Sequence, residues 1–288
     1  MLLVLLVAGA SAVLSSSRQR SFDPEPMRSR GPRAASATAV RPPAVPPASD
    51  SRRRVRAGQG GPVRLPAPDP AGRVRLPVAD LVPTRLPASG VPSGWAVTEF
   101  AGSDASVELV RSDGRVALRL RSSGNSFAVH RDVVVDLQQY PMLSWSWKVA
   151  RLPAGGDVRE PERDDQAAQV YVVFPRWPSP RTSSDVIGYV WDVGAPAGMT
   201  LPHPRAPNVR IVVVESGPGR LDRWLQQRRN VAEDYRALFG RQPPLTGKLA
   251  LMIDSNDTRS EAEAMFGELT FSRAGTPSHT EMPTPMLR

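Results

Sequence analysis

The chain has 288 residues, 40% of them hydrophobic, a formal net charge of +9 and no cysteine. That length admits one large domain or two small ones. The missing cysteine excludes disulfides, thiol catalysis, cysteine metal sites and a lipid-modified N-terminal cysteine.

The charge is unevenly spread. Residues 1–80 hold 13 arginines and 5 acids, whereas residues 81–288 hold 24 basic and 23 acidic residues. A nucleic-acid-binding domain gathers basic residues on its folded face. Here they gather in the N-terminal segment, so no nucleic-acid partner is expected. The opening MLLVLLVAGASAVLSSS is apolar or small from residue 2 to 14, too short to span a bilayer comfortably. Ala8-Gly9-Ala10 and Ala10-Ser11-Ala12 fit a small-x-small cleavage rule. Residues 1–14 are read as an export signal or an apolar anchor, although no Lys or Arg precedes the apolar stretch; a true start upstream of Met1 accounts for that. A periplasmic or secreted, envelope-associated protein without a transmembrane span is the expectation.

Residues 15–93 hold 15 of the 31 prolines. Proline removes backbone donors and disfavours helix at the residue before it. With few aromatics and much charge, such a stretch buries too little surface to offset its ordering entropy. It is assigned as a disordered linker, with residues 78–86 packing as a short arm at the domain edge.

From Gly94 onward, strand patterns follow one another. SVELVRSDGRVALRLRSS alternates apolar and polar residues on both sides of Asp113-Gly114, the pattern of a hairpin. FAVHRDVVVDL, LSWSWKV, QVYVVF, DVIGYVWD, VRIVVVES, KLALMID and GELTFS continue the series. In LSWSWKV, Leu143, Trp145, Trp147 and Val149 share one face and Ser144, Ser146 and Lys148 the other. The tryptophans form either a core stack or a sugar platform. Strands apolar on both faces, such as 170–174 and 211–214, imply a covered outer face, under the helix or the N-terminal arm. The one helix spans 231–239, with Asn230 as N-cap and Gly240 as C-cap. Many strands and one helix predict an all-β antiparallel sandwich or jelly roll over 94–273, with 274–288 as a flexible tail.

Motifs for nucleophilic, nucleotide or zinc-protease chemistry are missing. The three histidines are widely spaced, and His130 is read as structural. Carboxylates recur where strands end: Asp164 and Asp165 before QVYVVF, Asp254 and Asp257 after ALMI. Such groups cap turns, pair as acid and base in glycoside chemistry, or bind Ca²⁺ through Asp254 and Asp257. No cofactor is required by the pattern, and calcium is the ion it admits. Antiparallel strands would bring the two aspartate loops to one rim, with Arg229 as their counter-charge. Ser260 and Glu263 have capping-box spacing.

Taken together, SWSWKV, the Asp164-Asp165 loop into AAQVYVVF, IGYVWD, VRIVVVESG, RNVAEDYRALFG and ALMIDSNDTRSEAEAMFGELTF resemble the bacterial family known as domain of unknown function 3047. The resemblance covers roughly residues 95–273. It implies an exported or envelope-associated β-sandwich, similar in outline to carbohydrate-binding jelly rolls, with no established activity. The family's characteristic positions map onto Asp164, Asp165, Trp191, Arg229, Asn230, Asp234, Tyr235, Asp254 and Asp257, which become the ligand-binding candidates. The chain departs from the pattern in its long Pro/Arg-rich extension and in Asn256, where an aspartate is usual, which weakens a metal reading. The leading expectation is a noncatalytic module for a glycan or envelope component. The alternatives are a structural or protein-interaction domain and a carboxylate-dependent glycoside hydrolase or lyase.

Overall fold

The computed structural model describes residues 67–176 and 184–276. The export segment, most of the proline-rich stretch and the end of the tail lie outside these residues. Among the described residues the regular structure is almost entirely strand. The strands are β1 (Arg73–Leu76), β2 (Ala88–Ser89), β3 (Ala96–Ala101), β4 (Ser106–Ser112), β5 (Arg115–Ser123), β6 (Ser126–Asp132), β7 (Met142–Arg151), β8 (Ala168–Phe174), β9 (Asp185–Asp192), β10 (Thr200–His203), β11 (Ala206–Ser216), β12 (Leu225–Asn230), β13 (Lys248–Asp254), β14 (Glu261–Phe266) and β15 (Leu269–Ser272). The helix α1 is Val231–Phe239.

These strands build two curled sheets, as the antiparallel sandwich reading expects. One has the order β10-β11-β9-β8-β13-β6-β3, and its only parallel pair is β9 with β11. The other has the order β1-β15-β7-β14-β5-β4-β2, with β12 on the remaining edge of β7. Strands β14 and β15 run end to end along β7. Phe266 faces Trp147 and Thr270 faces Ser144, so the register slips by one residue around Gly267. That one-residue slip is the signature of a bulge.

The turn chemistry explains the best-read elements. Ser112 pairs with Arg115, leaving Asp113 (φ 48°) and Gly114 (φ 78°) as a two-residue loop with both φ positive, the geometry that Asp-Gly favours. In α1 the Asn230 side chain accepts from the Glu233 N–H, and Gly240 ends the helix with φ 68°.

Between the sheets, Leu143, Trp145, Trp147 and Val149 of β7 meet Tyr189 and Trp191 of β9 and Leu251 and Ile253 of β13. Trp145 and Trp147 are wholly buried, 5.5 Å apart and edge to face. They are the core stack and present no face for a sugar platform. A second apolar cluster covers the outer face of the other sheet: Tyr171, Val173, Val190, Ile211, Val213 and Met252 pack beneath Val158, Ala195 and Met199. The cover comes from loops. The helix and the N-terminal arm, which were expected to supply it, join the central core instead through Val231, Tyr235, Val74 and Leu76.

Four features were misplaced by sequence patterning. Arg73–Leu76, inside the proline-rich stretch, forms β1 on the edge of β15 with Val74 and Leu76 buried. LQQRRN forms β12. EAEAMF is strand β14, so the capping-box spacing at Ser260 starts no helix. FAVHRDVVVDL stops being strand after Asp132, though Val133, Val135 and Leu137 stay buried. Among the described residues, no helix is long and apolar enough to cross a membrane.

Candidate functional site

The nine candidate residues divide among four places. Asp164, Asp165, Asp254 and Asp257 come together at one rim. Strands β8 and β13 are antiparallel, with Gln169 facing Met252, so the start of β8 and the end of β13 share that rim. Asp165 accepts from the backbone N–H groups of Asp257 (3.1 Å) and Thr258 (2.6 Å) and thereby holds the DSNDT turn. Asp254 lies within hydrogen-bonding reach of Asp165. Burial, and then the Asp165 charge, push its carboxyl well above the usual carboxylate range. Asp254 therefore holds its proton to a higher pH than an ordinary aspartate does. Asp164 receives a hydrogen bond from His203 Nε2 at 3.0 Å. That nitrogen carries the proton, because His203 Nδ1 accepts the Arg205 N–H. Asp257 pairs with Arg205 at 2.9 Å.

Arg229 does not neutralise this cluster. Its guanidinium grips Asp234 with two bonds, at 3.0 and 2.6 Å, and Tyr189 O–H donates to the same carboxylate. Tyr189 sits midway along β9, while the rim lies where β9 ends at Asp192. Tyr235 is farther still: its O–H donates to Asp185, at the opposite end of β9, about 23 Å away at about 3.3 Å per residue. Asn230 is consumed as the N-cap. Trp191 is fully buried, and its indole N–H donates to the Gly217 carbonyl. These five positions serve the fold. The partners at the rim, the charged Arg205 and the hydrogen-bond donor His203, were not foreseen; both come from the β10–β11 hairpin, far from either aspartate loop in sequence.

The rim's chemistry is that of a latch. Asp165 is wholly buried and Asp254 only 3% exposed, so no open cleft admits a substrate between them. The expected calcium pair is engaged separately, Asp254 with Asp165 and Asp257 with Arg205. Among the described residues, no three His, Asp or Glu side chains gather as a metal site. Two predictions follow from this geometry. Asp165→Ala strands two backbone donors and is expected to cost about 2–3 kcal/mol, read as a fall in melting temperature of roughly 5–10 °C. An unchanged melt rejects the latch. Asp254→Asn keeps a donor toward Asp165 and removes the ionisable group. Because the folded state raises this carboxyl's pKa above 3.8, its contribution is full below that pH and declines as pH rises. The variant is expected to gain on the wild type as pH rises above 3.8. A loss equal at every pH contradicts the raised carboxyl.

The open site lies elsewhere, on the outer face of the β7 sheet. A groove of about 330 Å³ runs over β12, β7, β15 and β1. Residues opposed across strands share a face, so the register defines its floor and walls. Arg228 faces Ser144, Ser144 faces Thr270, and Thr270 faces Arg75, in one row across four strands. Beside it, Ser272 faces Arg73, and Gln226 faces Ser146. Small hydroxyl residues form the floor and long arginines the walls. Gly267 keeps the floor low: its N–H donates to Ser146 O at 2.8 Å, and a Cβ there would stand 2.3 Å from Ser146 Oγ. The signal for this surface was the Ser144/Ser146 face opposite the tryptophans; its other walls lie in β1 and β12, which read poorly. A second cavity, of about 580 Å³, adjoins Asp104, Arg121, Arg151 and Glu261. There Arg151 pairs with Glu261, and Arg121 with Glu108.

The profile of the family described as protein of unknown function (DUF3047) matches residues 93–270. No curated protein matches the chain. Similar solved structures include endoglucanase Cel12A from Rhodothermus marinus, 8% identical, covering 62% of this chain and 92% of that one with a TM-score of 0.39. The family 30 carbohydrate-binding module of the cellulosomal cellulase Cel9D-Cel44B of Clostridium thermocellum is 12% identical, with coverage of 70% and 98% and a TM-score of 0.36. The xyloglucanase domain of NopAA from Sinorhizobium fredii is 10% identical, with coverage of 65% and 96% and a TM-score of 0.36.

Proposed function

The chain belongs to the family of proteins of unknown function DUF3047, and from its own geometry we propose that this domain is a noncatalytic binding module for a glycan of the cell envelope. The groove over β12, β7, β15 and β1 carries the reading. Its floor of Ser144, Ser146, Thr270 and Ser272 offers hydroxyls that both donate and accept hydrogen bonds, the same dual capacity that sugar hydroxyls have. Its span from Arg228 to Arg75 is three strand spacings, about 14 Å, room for a short stretch of polymer.

Catalysis is disfavoured by the carboxylates. A glycosidase holds two carboxyl groups about 5–9.5 Å apart across an accessible cleft. The Asp165–Asp254 pair is buried, with no accessible cleft between the two carboxyls. The apolar start with its small-x-small sites supports placing the mature protein outside the cytoplasm, where envelope glycans are found.

The test is a polysaccharide array probed with the labelled chain, with and without Ca²⁺, beside a Ser144→Trp variant that fills the groove. Binding to at least one polymer, lost in the variant and without release of reducing ends, is the expected result. Equal binding by both proteins removes the groove as the site, and release of reducing ends makes the protein an enzyme.

A further inference from the structure

We propose that the groove selects an anionic polysaccharide, one carrying carboxylate or sulfate groups along its length. The proposal rests on the reading of the groove as a glycan site and names the ligand class. Four arginines line it, Arg73, Arg75, Arg115 and Arg228, against one carboxylate, Glu268.

Each guanidinium is held in place rather than loose. Arg75 meets Glu268 with two bonds, at 2.7 and 3.0 Å. Arg73 is fixed by Asp69 at 3.0 Å. Arg228 donates to the Thr276 carbonyl at 2.8 Å, which orients the group and leaves its charge uncompensated. Arg115 lies over the Trp224 ring at 4.7 Å. Among the described residues, neither Arg115 nor Arg228 has a carboxylate partner. The groove thus keeps net positive charge on pre-oriented planar forks, and such forks match a carboxylate or a sulfate oxygen pair bidentately.

Arrangement supports the same ligand. Arg228 and Arg75 end one cross-strand row, with Ser144 and Thr270 between them. A sugar lying on those hydroxyls presents its acidic substituent to Arg228, whose charge is uncompensated, while Arg75 at the other end is held by Glu268. No aromatic ring lines the groove. A neutral pyranose is therefore offered no stacking surface, and single-stranded nucleic acid lacks the aromatic platform on which its bases stack.

The test uses the full chain, because its arginine-rich N-terminal segment also attracts polyanions and has to be held constant. Binding is measured by affinity electrophoresis against matched pairs: dextran sulfate with dextran, and polygalacturonate with its methyl ester. Poly(U) is run as a third polyanion. The wild type is expected to bind one acidic member at least tenfold more tightly than its neutral partner, and the sulfate and carboxylate arms identify which group is read. Arg115→Gln/Arg228→Gln is expected to lose most of that preference and to show a shallower salt dependence. Both residues lie at the surface, and an unchanged melting temperature verifies the variant's fold. Acidic binding that survives the double substitution assigns it to the N-terminal segment and overturns the proposal. Tighter binding to poly(U) than to either acidic polysaccharide overturns it as well. Preference for a neutral member overturns the anionic class while leaving the glycan reading intact. Binding to no polysaccharide removes both.

Discussion

Leu76→Ala is expected to lower stability by about 3 kcal/mol, near the middle of the range for a buried leucine, and the melting temperature by roughly 6–12 °C. Leu76 is 2% exposed on β1, opposite Leu269 of β15, and belongs to the central core. The same arm reaches Trp95, whose indole N–H donates to the Pro77 carbonyl at 3.2 Å. Arg131 lies over that ring, 5.5 Å from its centroid, and also bonds Asp80 at 3.1 Å. Loosening β1 therefore disturbs a tryptophan far along the arm. A thermal melt followed by tryptophan fluorescence reads both effects. A variant that melts like the wild type returns this segment to the linker that its proline content suggested.

Asp132→Ala is expected to cost about 2–4 kcal/mol, because it strands the buried Lys248 ammonium, the Asp132 side chain itself being 29% exposed. Lys248 is 2% exposed and its ammonium donates to Asp132 at 2.6 Å. On its other side lies His130 Nδ1 at 3.1 Å, a ring nitrogen that gives Lys248 no charge compensation. Burial, and then the lysine's charge, push the His130 pKa down to about 4, so the imidazole is neutral across the ordinary working range. Without Asp132 an uncompensated cation remains in the sheet. Lys248→Met in the same background is expected to restore most of the loss, since it removes the stranded charge. Chemical denaturation of the two single variants and the double variant gives the coupling directly. Independent, additive losses contradict the pairing.

How far the sequence speaks depends on the reach of each interaction. The β4–β5 hairpin and α1 are legible because their determinants are local: two positive φ angles at Asp113-Gly114, and caps at Asn230 and Gly240. β1, β12 and β14 are not, because RVRL, LQQRRN and EAEAMF carry charges and amides on their outward positions. They become strands only through the edges they find on β15, β7 and β5. The aspartate rim is legible in outline, since antiparallel neighbours bring a strand start and a strand end together. Its partners are not. Arg205 and His203 arrive from another hairpin, and Arg229 is captured by Asp234 just 5 residues along the chain. The groove is the least legible feature of all. Its central row joins residues from 75 to 270, and only β-sheet register makes them neighbours.

The outer strands of both sheets have a bearing on self-association. β1 carries Arg73 and Arg75, β2 is 2 residues long, and β12 carries Arg228 and Arg229. β10 holds Pro202, with a break in register just after it, and β3 has a break between Glu99 and Ala101. Charge, brevity, proline and irregular pairing are the devices that keep an open edge from recruiting a foreign strand. The same arginines that wall the groove give the β1 and β12 edges like charge, so the edges of two copies of the domain repel each other and do not zip into fibrils.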